Sequence, residues 1–229
     1  MRYSPETRVC ESCLSRPWCP YVLPFVLFLL LTEPGRHFSQ VAPWLYVTKT
    51  FLTVFLLWSF RQIYLRDLSI PLSFRQLVEA IVCGAVVLAL WILAEGYLFQ
   101  LDQRFIFSPK GLGHAVSGQL FLVGVHLFGS ALVVPLMEEL FWRSFLMRWL
   151  IRADFRSVPL GTFSWFSFLA TAILFGLEHN RIVAGVCAGI FYNLLLVHQK
   201  NLRGVVLAHG ITNFGLGLYV ITTGNWQFW

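Results

Sequence analysis

Seven apolar segments follow one another along this chain, and they constrain its fold more than any other feature. The segments are residues 18–32, 41–60, 77–100, 117–141, 159–178, 182–199 and 204–222. A helix needs about 20 apolar residues to cross the hydrocarbon core. Only 12% of all residues are charged, about half of the usual share in soluble domains. The sequence therefore predicts an all-α fold, a polytopic membrane helix bundle with about seven transmembrane helices and a range of about six to eight.

Charge and composition predict the organisation around the membrane. We expect a cytoplasmic tail over 1–17, N-terminal transmembrane helices over 18–115 and a core of further transmembrane helices over 116–229. The first apolar segment is short and contains two prolines, so its full crossing stays open. Most Lys and Arg of the connections fall on one side if the N-terminus is cytoplasmic, as the positive-inside rule requires. This predicts an integral protein of the plasma membrane, the inner membrane in bacteria, with Trp226 and Trp229 in the opposite interface.

The cysteines near the N-terminus form a CxxC motif, Cys10 and Cys13, followed by Cys19. A structural zinc site usually needs four ligands. We interpret these thiols as reduced and incidental or weakly regulatory, and a metal site in the tail completed by His37 stays open as the alternative.

Small residues in the sixth apolar segment form a GxxxG motif at Gly185 and Gly189. Small residues let helix backbones approach closely in lipid. The motif predicts helix packing and carries no information about chemistry.

Two adjacent carboxylates, Glu138 and Glu139, lie in the apolar stretch VVPLMEELFWR. Each acid at a helix centre costs about 2.5–3.5 kcal/mol on insertion. Glu139 and Arg143 are one helical turn apart and can pair, whereas Glu138 is rotated by about 100°. Glu139 is therefore expected to stay ionised, and Glu138 to act as a base near neutral pH. The alternative is a helix that emerges into the headgroups with solvated acids.

Two further polar pairs lie at the ends of other apolar segments. FGLEHN places His179 beside Glu178, and HGITN places His209 one turn before Asn213. Each pair alone could serve only to hold helices together by hydrogen bonds. Together with the carboxylates, they would supply a general base, an orienting partner and oxyanion donors. These are the requirements for hydrolysis of an amide bond.

In this order the motifs resemble a known family. EELFWR fits EExxxR, FGLEH fits FxxxH, and HGITN fits HxxxN. The set resembles the CPBP group, which comprises the type II CAAX prenyl endopeptidases and their bacterial relatives, over about residues 118–222. The compact size is also similar to the CAAX-protease-related members that are linked to bacterial C-terminal protein sorting.

The resemblance implies an intramembrane endopeptidase that cuts near the C-terminus of a membrane-associated substrate by means of a glutamate-activated water. It implies a base at Glu138 and a water-holding role for His179, and the oxyanion donors would be His209 and Asn213. The supporting residues would be Glu139, Arg143 and Phe175. No cofactor is expected. The expected partners are membrane lipids and a protein or peptide substrate, lipid-modified or with a C-terminal sorting tail, and nucleic acid is not among them.

Two alternatives and one difficulty accompany this interpretation. Two histidines, a glutamate and a water also describe a catalytic zinc site, although the chain has no HExxH motif. A non-catalytic membrane scaffold or immunity-type binding protein could keep the same helices. The difficulty is depth: straight helices would place Glu138 and His179 about 9 Å apart along the membrane normal. Tilt, a break at Pro135 or shifted helix ends could close this gap.

Overall fold

The structure is a computed structural model that describes residues 16–38, 41–95 and 115–229, and every regular element in these ranges is helical. The long helical segments are α1 (Cys19–His37), α2 (Ala42–Ser59), α3 (Phe74–Leu93), α4 (Val116–Trp149), α5 (Trp165–Glu178), α6 (Ile182–Gln199) and α7 (Leu202–Thr223). Single turns of helix lie at Arg61–Tyr64, Phe155–Ser157 and Trp226–Phe228. The all-α prediction is therefore confirmed for the described residues.

Four of these helices, α3, α4, α6 and α7, are long and apolar enough to cross a membrane. Helices α1 and α5 contain shorter apolar stretches. These four candidate spans support an integral membrane protein, whereas the count of about seven transmembrane helices stays a prediction.

The long helix α4 alternates between α-helical and π-helical turns. It is π-helical over Gly129–Val133 and Leu140–Leu146, on both sides of the α-helical turns Val134–Glu139. The suggested break at Pro135 is therefore wrong, because the helix continues through this proline to Trp149. In the wider π-helical turn before Pro135, the proline ring does not clash with the carbonyl groups of the preceding turn.

Small residues set the spacing between α5 and α6. A side-chain carbon added at Gly189 would lie 2.9 Å from Cα of Ala172, and one at Gly185 would lie 2.9 Å from Cα of Gly176. The helix-packing prediction for the GxxxG motif is thus confirmed, and its partner is α5. This contact holds α5, which leads to His179, against the rest of the bundle.

A methyl group at this contact should cost stability. We expect Gly189→Ala to lower the free energy of unfolding by about 1–3 kcal/mol, as overpacked cores do, because backbone atoms of α5 would have to move. The measurement is thermal unfolding in detergent. Gly124→Ala is the control, since nothing lies within 4 Å of the added carbon there. Equal stability of the two variants would contradict the packing argument.

A buried polar cluster joins α1, α4 and the α2–α3 connection on the side where α4 ends. Asp67 accepts hydrogen bonds through Oδ2 from the Tyr21 hydroxyl at 2.8 Å, Ser144 Oγ at 2.7 Å and Arg148 Nη2 at 3.1 Å. Arg148 is buried, so its charge is neutralised within the protein rather than by headgroups.

The suggested metal site near the N-terminus is only partly within the described residues. Cys10 and Cys13 lie outside them. Cys19 is buried at the start of α1, whereas His37 ends the same helix and pairs with Glu33 at 3.1 Å. A helix of this length separates its ends by about 27 Å. One metal ion therefore cannot bind both Cys19 and His37, and that combination is wrong.

Candidate active site

His209 on α7 lies between the two adjacent carboxylates of α4. Its Nδ1 is 2.8 Å from Oε1 of Glu139, and its Nε2 is 4.0 Å from Oε2 of Glu138. All three residues are buried. The alternative in which the acids emerge solvated among the headgroups is therefore wrong. Because Glu138 and Glu139 point in different directions from one helix, a single imidazole can face both.

A buried ion pair fixes Glu139. Oε1 of Glu139 accepts from Nη1 of Arg143 at 3.2 Å, and both side chains are fully buried. Nε of Arg143 donates to Oδ1 of Asn193 on α6 at 3.1 Å, and Nδ2 of Asn193 donates to the carbonyl of Phe168 at 2.9 Å. The guanidinium also lies over the ring of Phe175, 4.4 Å from its centre. These contacts tie α4, α5 and α6 together beneath His209.

Oε2 is buried and has no hydrogen-bond partner among the described residues in both Glu138 and Glu139. The two differ because Oε1 of Glu139 is bonded to Arg143 and His209, whereas the described residues offer Glu138 no hydrogen bond. A buried acceptor without a donor costs about 1–3 kcal/mol. A carboxylate can only accept, so Nδ1 of His209 donates to Oε1 of Glu139, and a neutral ring with this proton has its lone pair on Nε2. A water that bridged Nε2 of His209 and Oε2 of Glu138 would lie about 2.8 Å from both atoms and would donate one hydrogen to each. Its own lone pairs would then face away from both groups.

A cavity of about 230 Å³ lies on the other side of this histidine. Its lining includes His179, His209, Asn213 and Phe175. Glu138 does not line it and approaches it only through His209. The ring of Phe175 lies 4.7 Å from that of His179 and 5.9 Å from that of His209, measured between ring centres. Four of the sequence-predicted residues thus line one small space, whereas Glu138, Glu139 and Arg143 do not line it.

His179 follows directly after α5 and is held by its own helix. Its Nδ1 donates to the Phe175 carbonyl at 2.7 Å, since a carbonyl can only accept. The ring also packs edge-on against Trp91, with 5.5 Å between ring centres. The structure therefore places His209, rather than His179, beside Glu138.

The position of Asn213 follows from the first π-helical turn of α4. There the Val134 N–H bonds to the Gly129 carbonyl instead of the Ser130 carbonyl. The next residue, Pro135, has no N–H to offer. The Ser130 carbonyl accepts from Nδ2 of Asn213 at 2.8 Å instead. An amide nitrogen carries two hydrogens, so this bond orients Asn213 and leaves one hydrogen for a ligand.

Sequence reasoning missed several polar neighbours of the site. Asn193 anchors Arg143, and the Tyr192 hydroxyl donates to Oγ1 of Thr212 at 2.8 Å. The Trp142 indole donates to Oε2 of Glu178 at 3.2 Å. A buried asparagine in an apolar helix was the available signal, because hydrocarbon penalises an unpaired amide.

The expected depth mismatch is smaller than the sequence suggested. Helix α4 ends at Trp149 and α5 begins at Trp165, so Glu138 is 11 residues and His179 14 residues from these ends. The difference of three residues corresponds to about 4.5 Å. Shifted helix ends therefore close about half of the gap.

Within the three described ranges, no three His, Cys, Asp or Glu side chains are grouped so that they could hold a metal ion. The zinc alternative would therefore need a different arrangement of these side chains from the one described.

Comparison with known proteins identifies one family. The sequence model of the family described as type II CAAX prenyl endopeptidase Rce1-like matches residues 120–215. The match contains all three motifs and confirms, for this part of the chain, the resemblance to the CPBP proteases. No curated protein and no solved structure matches the chain.

Proposed function

We propose that this membrane protein, which matches the Rce1-like type II CAAX prenyl endopeptidases over residues 120–215, is an intramembrane endopeptidase. It would hydrolyse a peptide bond near the C-terminus of a membrane-associated substrate. The observation that carries the proposal is the buried gap of 4.0 Å between Oε2 of Glu138 and Nε2 of His209. Both groups are acceptors there, which is how a site holds a water for attack.

In the proposed reaction the water oxygen attacks the peptide carbonyl as Glu138 takes one of its protons. The tetrahedral intermediate then collapses, the C–N bond breaks, and the proton passes from Glu138 to the leaving amine. The products are a carboxylic acid and a free amine. His209 acts by holding the water, and its Nδ1 contact with Glu139 at 2.8 Å keeps the ring oriented.

Asn213 is the proposed oxyanion donor, because its second amide hydrogen is available at the wall of the cavity. His179 lines the same cavity and would position the substrate. This proposal moves the water-holding role from His179 to His209 and leaves Asn213 as the oxyanion donor. The reason is the position of His209 beside Glu138.

Loss of the Asn213 donor should slow cleavage strongly. We expect Asn213→Ala to lower kcat by about 10²–10³-fold, as loss of one oxyanion donor does elsewhere. A fluorogenic peptide that ends in a farnesylated C-a-a-X sequence is the probe, with the purified protein in lipid vesicles. Thr222→Ala serves as the control, because Thr222 is an exposed polar residue of the same helix that bonds only within α7. Wild-type kcat in Asn213→Ala would rule out this donor.

The same assay tests the substrate class and the proposed absence of a cofactor. The unmodified peptide and a peptide with a bacterial-type sorting tail are compared with the farnesylated one, and the best substrate identifies the class. We expect cleavage to continue after treatment with a chelator. Loss of cleavage that returns when zinc is added would replace the glutamate–water mechanism with metal-assisted hydrolysis.

A further inference from the structure

The segment that follows α7 folds back over the cavity of the candidate site. It forms one turn, Trp226–Phe228, and then Trp229. Phe228 is buried, and both Phe228 and Trp229 line the cavity together with His209 and Asn213. The interfacial position of Trp226 and Trp229 stays a prediction, and Trp229 also lines this cavity. We call residues 225–229 the covering segment.

Arg181 holds the covering segment in a way that would suit any extended peptide. Its Nη1 donates to the carbonyl of Gln227 at 3.3 Å, and its guanidinium lies 4.3 Å from the ring centre of Phe228. Nε of Arg181 also donates to Oε2 of Glu95 at 2.7 Å, and this bond orients the guanidinium. Arg181 is more than nine-tenths buried. One oriented guanidinium thus binds a backbone carbonyl and an adjacent aromatic ring, and neither contact depends on an unusual feature of the covering segment.

The second contact is a stack of three rings. His126 on α4 lies between Tyr46 on α2 and Trp229, with ring centres 4.1 Å and 4.3 Å away and interplanar angles of 4° and 19°. The face of His126 that Trp229 covers would accept another flat aromatic side chain in the same way. His126 and Trp229 line the same cavity as Asn213.

We propose that Arg181 and His126 form a peptide-binding subsite for an aromatic side chain of the substrate, and that the covering segment occupies it until substrate displaces it. The inference rests on the proposed function, because it takes the cavity as the place where the peptide bond is cut. Two arguments support it: the occupant is itself a peptide held by a backbone carbonyl and two aromatic rings, and it lines the same cavity as the proposed oxyanion donor. Substrate and covering segment then exclude one another.

Removal of the aromatic side chains that occupy the subsite should strengthen substrate binding. We expect the double variant Phe228→Ala/Trp229→Ala to lower KM by about two- to tenfold, which corresponds to one or two lost aromatic contacts, with kcat unchanged. A segment that competes with substrate for the same subsite raises KM and leaves kcat unchanged, so its removal should lower KM alone. Trp44→Ala is the control, because Trp44 is an exposed tryptophan of α2. An unchanged or raised KM in the double variant would overturn the inference.

A direct measurement of peptide binding distinguishes failure of this inference from failure of the proposed function. The peptide Asn-Trp-Gln-Phe-Trp should bind the double variant and bind wild type about two- to tenfold more weakly, because the covering segment competes. Asn-Ala-Gln-Ala-Ala should bind neither. Arg181→Gln in the double variant should weaken binding of the first peptide, whereas thermal unfolding identifies any loss of folding. Binding without cleavage of any substrate would overturn the proposed function alone, and cleavage without peptide binding would overturn the inference alone.

Discussion

Glu138→Gln should abolish cleavage of the farnesylated peptide while the protein keeps its fold. We expect kcat to fall by about 10²–10⁴-fold, the usual contribution of a general base, because an amide cannot take the proton of a water. The fold should persist because glutamine has the same shape and Oε2 of Glu138 has no hydrogen bond to lose among the described residues. The measurement combines cleavage kinetics with thermal unfolding of the same samples.

Glu33→Gln is the matched control for this variant, because Glu33 is an exposed carboxylate of α1, outside the candidate site. It should cleave at the wild-type rate. Full activity in Glu138→Gln would instead mean that the water is activated elsewhere. A separate outcome, substrate binding by wild type without any turnover, would support the scaffold alternative.

Arg143→Met should destabilise the protein by about 3–5 kcal/mol, the usual cost of removing one partner from a buried ion pair. The reason is that the buried carboxyl group of Glu139 would lose the guanidinium that is 3.2 Å away. Asn193 would lose its donor at the same time. Unfolding in detergent with increasing denaturant measures the change.

Two further variants make the Arg143 prediction specific. Replacing both partners, as Arg143→Met/Glu139→Met, should recover most of the lost stability, because buried pairs are often neutral against apolar residues of similar volume. Arg75→Met is the control, since the Arg75–Glu79 pair has the same four-residue spacing but an exposed arginine. It should cost about 1 kcal/mol or less. Equal losses for Arg143→Met and Arg75→Met would contradict the buried-pair argument.

The helical class could be read from the sequence, because long apolar segments leave few folds open in lipid. Helix α6 was predicted at its observed ends, Ile182–Gln199, where flanking polar residues mark both ends. Other ends shifted: α4 extends to Trp149, well beyond the predicted limit at residue 141. Arg143 and Arg148 stopped the apolar pattern there, although partners inside the protein neutralise both. A local hydropathy pattern carries no information about pairing between residues of distant segments.

The contacts of the candidate site were likewise predictable only in part from the sequence. The contact between Glu139 and Arg143 followed from helix periodicity alone. The contact between His209 and both carboxylates depends on how α7 packs against α4, and periodicity carries no information about that. The π-helical turns that free the Ser130 carbonyl for Asn213 also have no sequence signal apart from Pro135. The site residues and their roles, the division into 1–17, 18–115 and 116–229 and the membrane orientation remain predictions.

The most direct measurement of the central claim, that Glu138 and His209 act on one water, is a double-mutant cycle of cleavage rates. The four proteins are wild type, Glu138→Gln, His209→Asn and the double variant, where asparagine can retain the contact with Glu139 but lacks the Nε2 position. Groups that act as a unit are not additive, so the double variant should be no slower than the slower single variant. Losses that multiply in the double variant would show that the two side chains act on separate steps, and the account would be wrong.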